Sequence, residues 1–305
     1  MRGSCAGLLR LGRQEQAHQD HIIVLSVQLA RPNSRSLDHD AASAFTGRAI
    51  VAASAAEVAD RADIVFGCLQ TVDQYRSAIL GDTGVIRSRR ARTYVHIGTT
   101  GRDCVRTLAA ELAARAIGTV DAPMSGGVAG ARAGTLVSMV SGPRAAFTSV
   151  EPCLAAYSKR IVYLGEAPGL GQTMKLANNM LSATNLVAAA EVLVVGAKAG
   201  IPVEIMLEVI NNGTGQSNAT LTKIPDNIIS RTFDVGSTLH NALKDLRAYA
   251  AEAQGAGLDS AICRVVFDCF REAGAQGSIE DDFGTVVRPL ERAAGVVLKR
   301  GGSID

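Results

Sequence analysis

Aromatic side chains are scarce in this chain: it has no tryptophan, and Phe, Trp and Tyr together make up 4% of 305 residues. The stacking surface that single-strand nucleic-acid binding relies on is therefore missing. Charge of one sign is scarce too, since 31 basic and 29 acidic residues leave a net charge of +2. That is no basic field for a polyanion, and no nucleic-acid partner is expected. The six cysteines, at 5, 68, 104, 153, 263 and 269, form no CxxC pair and no Cys/His metal spacing. They read as reduced thiols of a cytoplasmic protein that needs neither disulfide staples nor a metal. Long apolar runs are interrupted by charge, as Glu191 interrupts 186–197, so no segment long enough to span a bilayer, and no membrane partner, is expected. The opening residues, from Met1 to Arg10, lack the apolar core of a signal peptide.

What is present is apolar material for two packed cores, 47% of the residues. In the first half, short apolar runs alternate with helical patterns. Strands are predicted at Ile22 to Ala30, Asp63 to Leu69, Thr93 to Ile97 and Thr119 to Ala122. Between them lie helical patterns at Ala55 to Arg61, Val72 to Leu80 and Arg102 to Ala116. Strands separated in this way imply parallel pairing and a doubly wound α/β sheet. After Gly165 strand signals stop, and 170–200, 202–212, 217–230, 238–255 and 259–273 all read as helices. The expected organisation is a Rossmann-like domain over 1–164 and an all-helical domain over 165–305.

The stretch beginning Gly169-Leu-Gly171-Gln-Thr-Met-Lys175, and continuing to Asn178 and Asn179, opens the longest helical pattern. A lysine on an amphipathic helix is ordinarily a solvated residue. Here the pattern continues through Met180, Leu181, Leu186, Val187, Val192, Leu193, Val194 and Val195 with few charges, the mark of a largely buried helix. Lys175 and Asn179, four apart, share one helix face and can converge on one small molecule. Three further stretches carry polar groups. Asp121-Ala-Pro-Met-Ser125-Gly126-Gly127 follows a strand, and its glycines and hydroxyl suit either an ordinary turn or a carboxylate held by backbone N–H groups. Lys244-Asp245-Leu246, taken alone, reads as a helix-end ion pair. Gly98-Thr99-Thr100-Gly101 ends a strand, where ligands of open α/β sheets bind.

Taken together these motifs resemble the β-hydroxyacid dehydrogenase family, which includes 3-hydroxyisobutyrate dehydrogenase and tartronate semialdehyde reductase and is akin to 6-phosphogluconate dehydrogenase. The resemblance covers about residues 50 to 300, with Met124 in place of the family's valine in Asp-Ala-Pro-Val-Ser-Gly-Gly. It implies hydride transfer between a nicotinamide cofactor and a small hydroxy acid or its aldehyde. By that resemblance Ser125, Gly126 and Gly127 hold the substrate carboxylate and Asn179 bonds the substrate. Lys175 is then the general acid/base, with partial burial lowering its pKa toward the working range. Leu69, Gln70, Thr99 and Lys244 fall at cofactor contacts. The family's habit of pairing through its helical domain implies a homodimer or homotetramer.

The N-terminus departs from the pattern. Against a GxGxxG fingerprint only Gly12 survives, with Arg10 and Glu15 at the flanking glycine positions. Further on, Arg31, Ser34 and Arg35 stand where an NAD site keeps an acidic residue, which favours NADP(H) over NAD(H) through the 2'-phosphate, unless this is simply a basic loop. A shifted reading frame or altered start accounts for so abrupt an edge; so does a pseudoenzyme that keeps a carboxylate pocket as a scaffold. An imine reductase of the same fold is a third alternative, which Lys175 disfavours.

Overall fold

The computed structural model describes residues 22–25 and 52–301. Two compact units divide it, Met1–Lys175 and Leu176–Asp305. The first carries the sheet. Strands β1 (Ile22–Leu25), β2 (Ile64–Gly67), β3 (Thr93–His96) and β4 (Gly118–Asp121) lie side by side in chain order, all parallel. Helices α1 (Ala55–Arg61), α2 (Val72–Leu80) and α3 (Arg102–Ala113) supply the crossovers. Ser54 caps α1, and Thr71 with Gln74 forms a capping box on α2. Strand β3 is buried at every position, as a parallel strand covered on both faces must be.

Beyond β4 the sheet changes direction. Strand β6 (Leu136–Ser141) joins β4 antiparallel through the single pair Asp121 and Ser141. The short β5 (Met124–Ser125) pairs antiparallel with β6, and β7 (Ser158–Gly165) runs parallel to it. Helices α4 (Gly127–Ala133) and α5 (Arg144–Ala155) connect these strands. The expected doubly wound parallel sheet is thus present as a parallel-dominated one, in which β6 runs antiparallel to β4 and β5.

Helix α6 (Leu170–Lys198) runs through the unit boundary without a break. In the helical unit follow α7 (Val203–Asn212), a π-helical segment (Ala219–Ile228), α8 (Leu239–Gly255), α9 (Ala261–Gln276) and α10 (Val287–Ala294). The π-helix replaces the ordinary helix expected at 217–230. Its cause is Pro225, which has no N–H to give the ladder, and the widened turn closes where Ile229 N donates to Ile224 O at 3.0 Å. The core of this unit is built on Ala183, Leu186, Ala190 and Leu193 of α6, with Ile224, Leu239, Phe270 and Val287.

The expected absence of a membrane-length helix needs correcting. By length and composition α6 is apolar enough to cross a bilayer, and Glu191 is too isolated a charge to prevent it. A helix that supplies the core of a packed unit passes the same test, and the buried stripe of α6 does supply one. The described cysteines form no disulfide among themselves.

His96, on β3, is fully buried, stacks on Tyr75 at 3.9 Å, and bonds Thr100 Oγ1 through Nε2 at 3.0 Å. Burial pushes its imidazole down to about 3. A folded value below the unfolded one means that the neutral ring's contribution is complete above about pH 6.5 and fades as pH falls toward about 3. Asp121 acts in the opposite sense, since burial raises it to about 6 and its contribution fades as pH rises through that value. Comparing wild type with His96→Gln cancels the Asp121 effect. Urea denaturation at pH 6.5 and pH 5 should show the wild type losing roughly 1–2 kcal/mol more than the variant on acidification. Equal losses in the two proteins would mean that His96 protonates as freely folded as unfolded.

Candidate active site

Loops at the carboxyl ends of β2 and β3 are drawn together by one phenol. Tyr75 Oη donates to Gly67 O at 2.9 Å and accepts from Leu69 N at 3.0 Å and Gly98 N at 2.8 Å. A Cβ on Gly98 would lie 2.4 Å from that oxygen and 2.8 Å from Leu69 O, so only glycine lets the loops approach this closely. Leu69 is buried, Gln70 is exposed with its N–H held by Gln74 Oε1, and Thr99 is half-buried. Two closely spaced backbone loops at strand ends suit a dinucleotide laid across the sheet edge. Gly12, Arg31, Ser34 and Arg35, the residues predicted for its diphosphate and ribose, lie outside the described residues.

The start of α6 is fastened to the same edge. Gly171 packs so tightly on β6 and β4 that a Cβ there would meet Met139 O at 2.7 Å and Asp121 Oδ2 at 2.8 Å. Its N–H donates to Ser141 Oγ at 3.1 Å, and Ser141 donates to Asp121 Oδ2 at 3.3 Å. Gln172 N donates to Asp121 Oδ2 at 3.0 Å and Gln172 Nε2 to Asp121 Oδ1 at 2.7 Å. The other side of the Gln172 amide serves the loop after β3, donating to Gly98 O at 3.0 Å and accepting from Thr100 N and Gly101 N at 2.9 and 3.2 Å. Burial raises the Asp121 carboxyl to about 6 against the pull of these donors. Lys175, half-buried, follows Gln172 by three residues and so shares its face of the helix.

Ser125 closes β5, and the chain then turns through Gly126 at φ 132° and Gly127 at φ 63°. Both values belong to glycine. Gly127 is exposed, and open space stands where its Cβ would be. The turn can therefore offer backbone to a ligand at close range.

In the helical unit, Asn179 on α6 and Lys244 on α8 meet the two oxygens of one carboxylate. Asn179 Nδ2 donates to Asp245 Oδ2 at 2.7 Å, and Lys244 Nζ lies 2.8 Å from Asp245 Oδ1. Asn178 Nδ2 reaches Asn179 Oδ1 at 3.3 Å. Lys244 does make the ion pair that its sequence neighbourhood suggested, and the same aspartate fixes the amide of Asn179. Among the described residues no group of three or more His, Cys, Asp or Glu side chains is arranged to hold a metal.

Gln172, Asp121 and Ser141 were not singled out in the sequence as working residues. A signal for them existed. An aspartate ending a buried strand must find donors, and the polar Gln172 between Gly171 and an apolar helix is one.

Two family models together match most of the chain. One, described as the NAD binding domain of 6-phosphogluconate dehydrogenase, matches residues 25–165. The other, described as NAD-binding of NADP-dependent 3-hydroxyisobutyrate dehydrogenase, matches residues 169–290. A 2-(hydroxymethyl)glutarate dehydrogenase of Eubacterium barkeri is 30% identical over 246 residues, covering 80% of this chain and 81% of that protein. An L-threonate dehydrogenase of Escherichia coli K12 is 28% identical, covering 78% of this chain and 79% of that one. Among solved structures, 3-hydroxyisobutyrate dehydrogenase of Mycobacterium tuberculosis superposes with a TM-score of 0.74 at 28% identity, covering 83% of this chain and 88% of that one. With motifs, sheet and relatives in agreement, the chain belongs to the β-hydroxyacid dehydrogenase family, the nicotinamide-dependent oxidoreductases of small hydroxy acids.

Proposed function

We propose that this dehydrogenase interconverts a small β-hydroxy acid and its aldehyde or oxo form, with Lys175 as general acid/base and NADP(H) preferred to NAD(H). The observation that carries the reading is the fastening of the first turn of α6, through Gln172 and Asp121, to the loop that bears Thr99. A lysine merely solvating a helix needs no such anchorage of the residues before it. A nicotinamide, when bound, would supply or accept the hydride. Lys175 gives a proton to the substrate oxygen as the aldehyde is reduced and takes it back in the other direction. An ammonium beside developing alkoxide charge, with water excluded, strongly stabilises that charge. Asn179, one turn further along α6 and oriented by Asp245, hydrogen-bonds the substrate. Ser125, Gly126 and Gly127 take its carboxylate, and Leu69, Gln70, Thr99 and Lys244 face the cofactor.

L-threonate and 2-(hydroxymethyl)glutarate, named for the relatives, set the substrate class to try first: short acids with a hydroxyl near the carboxylate. We further propose a cytoplasmic homodimer or homotetramer without nucleic-acid or membrane partners. Leu181, Val192 and Val195 on α6, Val209 on α7 and Ile262 and Val265 on α9 are all more than half exposed, an apolar surface suited to self-association. A second reading is a carboxylate-binding scaffold. It is favoured by Arg10 and Glu15 at the fingerprint glycines and by a family match that starts only at residue 25.

Lys175→Ala should lower kcat about 10²–10⁴-fold while leaving NADPH binding within a few-fold of wild type. Stopped-flow turnover together with NADPH fluorescence reads both quantities, and undiminished turnover would dismiss Lys175 as the acid/base. For the cofactor, the melting temperature should rise more with NADPH than with NADH, and Arg31→Ala/Arg35→Ala should abolish the difference. Millimolar NADPH that leaves the melting curve in place would favour the scaffold over the enzyme.

A further inference from the structure

Gln172 exceeds what a helix start requires. Capping an N-terminus takes one acceptor for one or two N–H groups, and Asp121 with Ser141 already serves Gly171 N and Gln172 N. The Gln172 side chain does something else. Fully buried, it engages both amide donors and its carbonyl with Asp121 Oδ1, Gly98 O, Thr100 N and Gly101 N. One amide thus joins the end of β4, the first turn of α6 and the loop after β3, and no atom in it is left to respond to anything else.

The carboxylate is as fully engaged as the amide. Asp121 is 0% exposed, and both its oxygens accept from Gln172, with Ser141 added on Oδ2. Burying a carboxylate is costly, and a neutral cap would have held the helix without that penalty. What the aspartate adds is direction. It accepts on both oxygens, so it fixes which face of the Gln172 amide is the donor, and with that which face is turned to accept from the Thr100 and Gly101 amides.

We infer that Asp121 and Gln172 form a positioning pair, which locks the axial and rotational setting of the start of α6, and so of Lys175, to the Gly98–Gly101 loop. The inference rests on the reading of Lys175 as general acid/base. Lys175 is about 4.5 Å along the helix axis from Gln172. Any slip of the first turn is therefore carried to the ammonium, and misplacement of a reacting group by about 1 Å can cost on the order of a hundredfold in rate. Neither residue touches the reacting atoms.

The test uses four variants: Gln172→Leu, Asp121→Asn, Gln172→Glu, and the double exchange Asp121→Asn/Gln172→Glu. In the exchange an amide on residue 121 donates to a carboxylate on residue 172, whose second oxygen keeps Thr100 N and Gly101 N, while the bond to Gly98 O is lost. With NADP+ and L-threonate or 3-hydroxyisobutyrate, each single variant should lower kcat ten- to a hundredfold while KM for the acid stays within threefold. The exchange should regain at least fivefold over the worse of its parents. In cofactor-free protein, amide hydrogen exchange at Thr100 and Gly101 should quicken at least tenfold in Gln172→Leu and slow again in the double exchange. Wild-type kcat in Gln172→Leu, unchanged exchange at those amides, or losses that follow the melting temperature with no recovery in the double variant would overturn the positioning pair. Wild-type protein inert with both acids would instead bring down the dehydrogenase reading, and this inference with it.

Discussion

The constraint on which the α/β unit depends is a carboxylate buried where a parallel sheet stops being parallel. Asp121 ends β4, and its only strand partner beyond is Ser141 at the end of β6, antiparallel. Two strand ends meeting in this way leave a polar gap in an apolar interior. It is filled from one source, the first residues of α6, whose Gly171 and Gln172 N–H groups have no partner within their own helix. Orphan donors of a helix start and a carboxylate short of donors satisfy each other. That exchange makes a charged side chain tolerable there, although burial still lifts it to about 6.

Close approach follows from the same arrangement and explains the glycines better than any flexibility does. Gly171 brings the helix within reach of Asp121, since any side chain would strike Met139 O. Gly98 does the same for the loops after β2 and β3, making room for the Tyr75 hydroxyl that ties them. Gly169, at φ 97°, turns the chain into α6 where a Cβ would meet Arg102. These positions carry backbone against backbone, drawing the start of α6 and the loops after β2 and β3 onto their neighbours.

How legible this was depended on the range of the forces involved. Helices set by local capping and periodicity read directly: Ala55–Arg61 and Val72–Leu80 have the bounds that the pattern gave. Strands β6 and β7 did not, because Leu136–Ser141 is buried at nearly every position, without the alternation that marks a strand, and β7 is half exposed in an irregular pattern. The π-helix at Ala219–Ile228 could be seen only as a helix, since Pro225 alone does not say how the ladder will rearrange. In the site, motif residues were legible because their spacing is local. Gln172 was not, because its partners are 51 to 74 residues away and only the folded chain brings them to one amide.

Lys244 illustrates how one ion pair can also settle a second side chain. The plain expectation of an ion pair is met at Asp245. Yet that same carboxylate also holds the Asn179 amide from its other oxygen, so the pair also fixes the setting of that amide. Asp245 thereby orients Asn179 while Lys244 offsets its charge. What the aspartate's two contacts achieve in the helical unit, Asp121 achieves in the sheet unit. In both cases a buried or half-buried acid fixes the orientation of an amide.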